Sequence, residues 1–402
     1  MNRVLIVFNK KDLKAVGGPA GYLYNLYKEL EKEGIKEIVF LQEERKERKQ
    51  WIKNIYLKVP LCIRKQIQVR RNCNKYKKAL MQKPKRINAD LGQFDILHFH
   101  STWSMYLYRE DLEQFKGVIV LTSHTPIVPY KEIIEEIIPE KEYKKNKEIY
   151  DNLEKIDQYA FLKADFIIFP CREAEEPYYH TWDKYSIVRK EKKYKYLLTG
   201  VPDCKKELVE TVNVRKKYKI PQQAFVISYI GRHNRIKGYD ILKEIGKEIL
   251  RVFDNIYFLI AGKEEPIGGL KNNRWIEVGW TNNPYSIIDA SDLFILPNRE
   301  TFFDLVLLEV LSLGKNILIS YCGGNKRFAG FNSEGILFFH NIEEAIEQIK
   351  YLYKKEKEER EKMGQQNRQV YKEYFTMKKF TKNYLEIMNS IITPINMEHR
   401  FE

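Results

Sequence analysis

Short apolar runs alternate with amphipathic stretches along this chain of 402 residues, in two successive series. Strands buried on both faces of a parallel sheet are apolar throughout, and the stretches between them supply the crossover helices. The predicted strands are Arg3–Phe8, Ile38–Leu41, Ile96–Phe99, Val118–Thr122 and Phe166–Phe169 in the first series, and Phe225–Ile230, Tyr257–Ala261, Leu293–Pro297 and Asn316–Ser320 in the second. The pattern therefore predicts an α/β fold with two doubly wound parallel sheets.

The second series starts near residue 200, where Gly200 and Pro202 punctuate the stretch 191–206, which we interpret as the crossing between domains. The expected division is a Rossmann-like domain over residues 1–200, a second over 201–375, and a helical segment over 376–402 that packs back on the first domain. Two such domains predict a cleft between them, with ligands bound beyond the carboxyl ends of the strands.

Composition favours a cytoplasmic location. No run of about 18 uncharged apolar residues occurs, so the sequence predicts no membrane-spanning helix. The opening residues, MNRVLIVFNKKD, lead directly into a strand and lack the layout of a signal peptide. The five cysteines are scattered, with neither metal-ligand spacing nor a disulfide framework, as expected in a reducing compartment.

Positive charge is concentrated in one segment. The formal net charge is +15, and residues 45–86 carry 16 Lys or Arg and a single acid, Glu47. Aromatic and aliphatic residues interleave with these cations, so one interpretation is a basic amphipathic surface on anionic lipid at the inner face of a membrane. The alternative is a solvated face of a lysine-rich protein. Nucleic-acid binding is disfavoured because no nucleic-acid motif accompanies the charge.

Two loops that follow predicted strands could each meet an anion. Residues 9–26 place Gly17 and Gly18 before a helix, so the backbone can approach a ligand closely and the helix start favours negative charge. Residues 228–240 (SYIGRHNRIKGYD) place Gly231, Arg232 and Lys237 in the same context. The alternatives are an ordinary strand–helix turn in the first loop and surface cations in the second.

Arg232 and Lys237 lie five residues apart in that second loop, so they can flank a diphosphate. Arginine offers a planar fork of N–H donors and lysine a compact charge. Each charge-assisted hydrogen bond contributes roughly 1.5–3 kcal/mol.

Residues 297–314 (PNRETFFDLVLLEVLSLG) open as a polar turn and continue as an apolar helix that contains one carboxylate, Glu309. The helix start suits a phosphate. A Glu inside an apolar run needs a partner, and hydroxyl groups of a ligand can supply one. This combination suits a sugar nucleotide. The alternative is a core helix with one satisfied acid.

Histidines mark the first series. His124, in LTSHTPIVP, follows a strand and precedes a loop with proline, which would place its imidazole at the floor of the cleft; a structural histidine is the alternative. His98 and His100 share one face of a strand, but no acid or cysteine accompanies them, so we predict no metal site.

Taken together, these motifs resemble glycosyltransferase family 4, the nucleotide-sugar enzymes with the two-domain GT-B fold. The resemblance rests on the early Gly-Gly loop, GRHNRIKG, LIAGKEE, IEVGWTNNPYSIIDASDLFILPN, TFFDLVLLEVLSLG and MGQQNRQVYKEYFTMKKFTKNYLEIM, in this order. It covers residues 200–390 well. In the first half it covers only the opening loop, DILHFH and SHTP.

The resemblance implies a role for each matching residue. Arg232 and Lys237, after Gly231, would neutralise the donor diphosphate, and Glu309 would bind the ribose hydroxyls. The remaining donor contacts would come from Gly17 and Gly18, the backbone N–H groups near Asp304 and Leu305, and Gly279, Trp280 and Thr281 beside the base. His124 would contact the donor sugar near its reacting carbon.

Two positions depart from the family pattern. The first acid of the family's Glu-x7-Glu pattern falls on Thr301, with Glu300 one place early, so either residue could meet the sugar hydroxyls. Asp304 stands where glycine is frequent, and its carboxylate would repel a phosphate unless it turns away.

The resemblance implies a retaining glycosyltransferase that takes a hexose-type sugar from a UDP or GDP donor to a surface glycan or lipid-linked acceptor, as in polysaccharide biosynthesis. The two cations make a metal or other cofactor unnecessary, and no Asp-x-Asp pair is evident. The alternative is a non-catalytic partner subunit that binds glycan or another transferase.

Overall fold

A computed structural model describes residues 2–15, 18–42, 59–137, 146–208 and 213–392. The chain forms two compact units. The first comprises Met1–Phe169, Tyr178–Leu197 and Tyr384–Glu402, and the second comprises Pro170–Pro177 and Leu198–Asn383.

The first unit is built on a six-stranded, fully parallel sheet with the order β2-β1-β3-β4-β5-β6. Its strands are β1 (Val4–Ile6), β2 (Ile38–Phe40), β3 (Ile96–Phe99), β4 (Val118–Thr122), β5 (Phe166–Phe169) and β6 (Lys193–Tyr196). All five strands predicted for the first series are confirmed. Three have the predicted bounds, whereas the strands predicted at Arg3–Phe8 and Ile38–Leu41 are shorter. The strand β6 falls inside the stretch that we interpreted as the crossing between domains.

The connections of the first sheet are mostly helical. The helices are α1 (Gly18–Lys32), α2 (Leu61–Lys77), α3 (Thr102–Leu107), α4 (Arg109–Gln114), α5 (Pro129–Ile137), α6 (Lys147–Lys163), α7 (Glu176–Thr181) and α8 (Tyr185–Glu191). In α1 the residues Tyr22, Leu23, Leu26 and Leu30 are buried, which matches their helical spacing.

The second unit repeats this architecture with the order β12-β11-β10-β7-β8-β9, again fully parallel. Its strands are β7 (Phe225–Ile230), β8 (Ile256–Ala261), β9 (Trp275–Gly279), β10 (Leu293–Leu296), β11 (Asn316–Ser320) and β12 (Ile336–Phe339). The four predicted strands are confirmed. The strands β10 (LFIL) and β11 (NILIS) are wholly buried, as expected for mainly apolar sequences inside a parallel sheet.

The helices of the second unit are α9 (Val214–Lys217), α10 (Tyr239–Val252), α11 (Pro284–Asp289), α12 (Leu305–Leu313), α13 (Ile342–Lys354), α14 (Lys357–Val370) and α15 (Met377–Ile392). The last of these, α15, is divided between the units: residues 377–383 belong to the second and residues 384–392 to the first, where the buried Tyr384 bonds His98. Among the described residues, no helix has both the length and the apolar character needed to cross a membrane.

Candidate functional site

The predicted donor loops of the second unit both follow the carboxyl ends of strands of its sheet. The strands β7 and β10 are parallel neighbours, so the segments that follow them, 231–238 and 297–304, start side by side. From β7 the chain continues to β8, which lies on one side of β7 in the sheet, whereas β10 lies on its other side. The direction of strand addition therefore reverses at β7, and open α/β sheets bind ligands in the crevice at such a reversal.

Lys237 and Asp304 join the two loops. The Lys237 Nζ lies 2.5 Å from the Asp304 Oδ1, and the two side chains are only 14% and 20% exposed. The pair therefore places a predicted donor-binding cation directly at the start of α12, where the helix dipole favours an anion.

Close backbone contact fixes the geometry of these loops. Gly238 has φ +63°, and a Cβ there would lie 1.6 Å from the Pro297 carbonyl oxygen, so only glycine fits. The Arg299 backbone N–H donates to the Ile236 carbonyl at 2.9 Å. Its guanidinium binds both carboxylate oxygens of Asp240, at 2.5 and 2.8 Å.

The carboxylate of Asp304 is held by two more donors. Its Oδ2 accepts hydrogen bonds from the Asn298 Nδ2 at 2.5 Å and from the Thr301 hydroxyl at 3.0 Å. Burial by itself would raise the pKa of Asp304, but the Lys237 ammonium and these hydrogen bonds outweigh burial and hold the pKa below its usual 3.8. The carboxylate is therefore ionised at neutral pH.

Thr301 and Glu300 differ in their exposure. Thr301 is fully buried, and its hydroxyl donates to Asp304, so it supports that carboxylate. Glu300 is half-buried. Asn298, only 2% exposed, completes this cluster; it lies in the segment 297–314 but was not predicted as a site residue. A polar residue just after a buried strand was the available signal.

The helix α12 starts at Leu305, with Asp304 as its N-cap residue. The Asp304 side chain makes no capping hydrogen bond to this helix. The first N–H groups of a helix have no partner within it, and they carry a partial positive charge. This end of α12 can therefore hold a phosphate oxygen beside Lys237.

Glu309 lies half-buried on the same helix. Burial and the nearby charge of Glu207 raise its pKa to about 7, and a hydrogen bond with Tyr285 opposes this increase only in part. Because burial disfavours its ionised form, this carboxylate is stabilised by a ligand whose hydroxyl groups donate hydrogen bonds to it.

Arg232 is exposed, and its carbonyl oxygen accepts a hydrogen bond from the buried Tyr229 hydroxyl at 2.8 Å. Gly231, one residue earlier, extends β7 by donating its N–H to the Ala261 carbonyl at 3.1 Å. The backbone that carries this exposed arginine is therefore anchored.

The segment expected to line the base follows β9 at the same edge. The Gly279 carbonyl accepts from the Gly262 N–H at 3.0 Å. Trp280 is 69% exposed, and the Thr281 hydroxyl accepts from the Asn283 N–H at 3.0 Å. An exposed indole of this kind can stack on a planar ring.

In the first unit, His124 and His100 form one hydrogen-bonded pair. The His100 Nδ1 lies 2.8 Å from the His124 Nε2, and the Tyr22 ring contacts both imidazoles. Burial lowers the pKa of His124 to about 3, so the imidazole is neutral at physiological pH. It can therefore hydrogen-bond a ligand without carrying charge.

Gly18 begins α1 in the first unit, with φ +59°. Gly17 lies outside the described residues. Across the described ranges, no group of three or more His, Cys, Asp and Glu side chains has a metal-binding arrangement. His98 instead bonds the Tyr384 hydroxyl at 2.9 Å and the Thr122 hydroxyl at 2.8 Å.

Two doubly wound parallel sheets, with a candidate anion site beyond the strands of the second, are typical of nucleotide-binding α/β proteins. Comparison with known families is more specific. The model described as Glycosyltransferase Family 4 matches residues 16–184, and the model described as Glycosyl transferases group 1 matches residues 210–370. The chain therefore belongs to the glycosyltransferase family whose two halves these models describe, and it has the GT-B fold.

Three similar proteins illustrate the likeness. The UDP-Gal:alpha-D-GlcNAc-diphosphoundecaprenol alpha-1,3-galactosyltransferase of Escherichia coli is 28% identical over 129 residues, which are 29% of this chain and 33% of that protein. Sucrose-phosphate synthase from Thermosynechococcus elongatus superposes with a TM-score of 0.65 at 14% identity, covering 98% of this chain and 100% of that one. Anabaena Alr3699/HepE in complex with UDP-glucose gives a TM-score of 0.61 at 12% identity, covering 97% and 100%.

The matches with curated relatives are partial. The chain spans between a third and about half of the length of those relatives, 33% of the galactosyltransferase and 52% of an Escherichia coli O-antigen biosynthesis glycosyltransferase. The structural likeness extends over nearly the whole chain, but at such low identity it reports the fold alone.

Proposed function

We propose that this protein is a retaining glycosyltransferase that moves a hexose-type sugar from a UDP- or GDP-sugar to a surface glycan or lipid-linked acceptor. One observation carries the proposal: Lys237 lies beside the start of α12 at the crevice between β7 and β10. A cation and a helix start together suit a diphosphate. The name of the galactosyltransferase relative supports a UDP donor and a lipid-linked acceptor.

The chemical task in such a reaction is to stabilise the leaving group. As the glycosidic bond breaks, positive charge develops on the sugar and negative charge on the diphosphate. Arg232, Lys237 and the N–H groups at Leu305 neutralise the diphosphate, in place before the bond breaks. Because these groups supply the charge, the reaction needs no divalent metal.

Other residues of the second unit bind the rest of the donor. Glu309 accepts the ribose hydroxyls, Gly279, Trp280 and Thr281 line the base, and Glu300 meets the sugar hydroxyls. In this proposal residues 201–375 form the donor domain, and residues 1–200 form the acceptor domain. The acceptor domain supplies Gly17, Gly18 and the neutral His124 beside the donor sugar.

We further propose that the basic segment 45–86 brings the protein to the inner face of an anionic membrane. Only part of this segment lies in the described ranges, which exclude residues 43–58. On α2, Ile63 and Ile67 are 46% and 37% exposed, and Arg70 and Arg71 are exposed with them. Exposed apolar residues beside cations suit a surface of anionic lipid.

The test is a panel of sugar nucleotides assayed for donor hydrolysis and for transfer. Arg232→Ala and Lys237→Ala should each lower turnover by about 10²-fold or more, as expected when one group that stabilises developing charge is lost. Lys247→Ala is the matched control, because Lys247 is an exposed cation on α10 of the same unit, where it pairs with the exposed Glu244. Near-normal turnover in both site variants would refute the assignment.

A second candidate is a non-catalytic partner subunit with the same fold. The pairing of Lys237 with Asp304, and Thr301 at the position of the first family acid, favour it. Calorimetry with UDP, GDP and the corresponding sugar nucleotides separates the two candidates, because the partner subunit binds none of them.

A further inference from the structure

Lys237, the cation that the proposed function assigns to the donor diphosphate, already has an anionic partner from within the chain. The Asp304 carboxylate reaches it from the neighbouring loop, with Oδ1 at 2.5 Å from Nζ. Both side chains are largely buried, so solvent screens the pair only weakly. Asp304 is also the N-cap residue of α12, where a phosphate oxygen would be favoured.

The carboxylate is fixed in this position by its other oxygen. Oδ2 accepts hydrogen bonds from Asn298 and Thr301, which are 2% and 0% exposed. Asn298 is itself anchored, because its backbone carbonyl accepts from the Ser320 hydroxyl at 2.6 Å. Both oxygens of the Asp304 carboxylate are therefore held by hydrogen bonds, unlike those of a surface acid whose side chain can turn away from a ligand.

A phosphate that reaches Lys237 must share the ammonium with this fixed negative charge. The carboxylate stays within the cluster, held by Asn298 and Thr301, while Lys237 turns part of its hydrogen bonding to the phosphate. The resulting repulsion increases with the charge of the ligand. A free nucleoside diphosphate carries one more negative charge than the sugar nucleotide, because its terminal phosphate is not esterified.

We propose that Asp304 is a specificity-determining residue that makes the donor site discriminate against free nucleoside diphosphate in favour of the sugar nucleotide. This inference rests on the proposed function. It assigns a purpose to the acid that replaces the family's frequent glycine: the site rejects its own product more strongly than its substrate. Product release is faster as a result, and the diphosphate competes poorly with the donor.

The experiment is calorimetric titration of the full chain with UDP, GDP and the corresponding sugar nucleotides. In Asp304→Asn the Kd of the nucleoside diphosphate should fall by about tenfold, which corresponds to about 1.4 kcal/mol, and the Kd of the sugar nucleotide should fall by a clearly smaller factor. Asp304→Ser is a second neutral variant, because serine is a favoured N-cap residue and should preserve the helix start.

Asp292→Asn is the matched control. Asp292 is a half-buried acid that pairs with Arg215 at 3.0 Å and with Arg360 at 3.4 Å. It precedes the amino end of β10, whereas Asp304 lies beyond the carboxyl end of that strand. This variant removes the charge from two ion pairs away from the donor loops but should leave the ratio of the two dissociation constants unchanged. Circular dichroism and thermal unfolding of each variant check that the fold is kept.

Two results would overturn the inference and leave the proposed function standing. One is an equal change in Kd for both ligands in Asp304→Asn and Asp304→Ser, and the other is weaker binding of the nucleoside diphosphate by these variants. Absence of binding of every nucleotide to the wild type and to both variants would overturn the proposed function as well. The unmodified protein provides an independent check: it should bind the sugar nucleotide at least as tightly as the free diphosphate, and the reverse order would also refute the role of Asp304.

Discussion

Substitution of Glu309 by glutamine should change how the stability of the protein depends on pH. Burial, and then the charge of Glu207, raise the pKa of Glu309 from 4.5 to about 7. Between these two pH values the folded protein therefore retains a proton that the unfolded chain has already released. Stability must fall as the pH rises through this interval, because the folded state is the one that binds more protons.

The magnitude follows from the size of this difference. Each pKa unit corresponds to about 1.4 kcal/mol, so ionising Glu309 in the folded protein costs about 3 kcal/mol relative to the unfolded chain. Glutamine has nearly the same shape and no titratable proton. The free energy of unfolding of Glu309→Gln, relative to wild type, should therefore increase by up to about 3 kcal/mol between about pH 5 and about pH 8.

The assay is urea unfolding of both proteins at a series of pH values. The difference between the two curves removes titrations that they share and any constant cost of the buried amide. Glu207→Gln is a useful second variant, because removing that charge should lower the pKa of Glu309 and flatten part of the pH dependence. A difference between wild type and Glu309→Gln that stays constant with pH would refute the reasoning.

Three further predictions test the site and its frame. Gly238→Ala should destabilise the protein by more than about 1 kcal/mol and weaken nucleotide binding, because the backbone has φ +63° and the new Cβ would clash with the Pro297 carbonyl. Gly268→Ala is the control, because a Cβ there meets nothing within 4 Å. Equal effects of the two substitutions in denaturant unfolding and in calorimetry would contradict this prediction. Arg368→Ala should lower the free energy of unfolding by about 3–5 kcal/mol, because the guanidinium binds both oxygens of Asp203 at 2.8 and 2.6 Å. Denaturant unfolding measures this loss, and a value below about 1 kcal/mol would argue against a structural role. A chelator should leave the rate of sugar transfer unchanged, and strict dependence on a divalent metal would contradict leaving-group stabilisation by Arg232 and Lys237.

The central strands could be predicted from the sequence because both faces of each are buried. β10 (LFIL) is apolar throughout and β11 (NILIS) has an apolar centre, and every residue of each is buried. β6 could not be predicted in this way. Its sequence, KYKY, is polar and largely accessible, as an edge position allows, and its pairing with β5 is a tertiary contact that leaves no apolar run.

The residues of the candidate site were predictable in kind but not in arrangement. The sequence places Lys237 after one strand and Asp304 after another, 67 residues further on. Only the strand order, with β10 beside β7, brings them into contact. Asn298 lies in the segment 297–314 but was not predicted as a site residue, because its role depends on the hydrogen bond to Asp304 that the folded loop makes possible. The positions assigned to the donor therefore stay a prediction until a ligand is observed.

The most direct test is a crystal structure of the protein with a bound UDP- or GDP-sugar. We predict that the Arg232 guanidinium and the Lys237 ammonium contact the two phosphates, that the first N–H groups of α12 face them, and that Glu309 accepts the ribose hydroxyls. A structure in which the diphosphate binds elsewhere, with both cations directed to solvent, would contradict the proposed function.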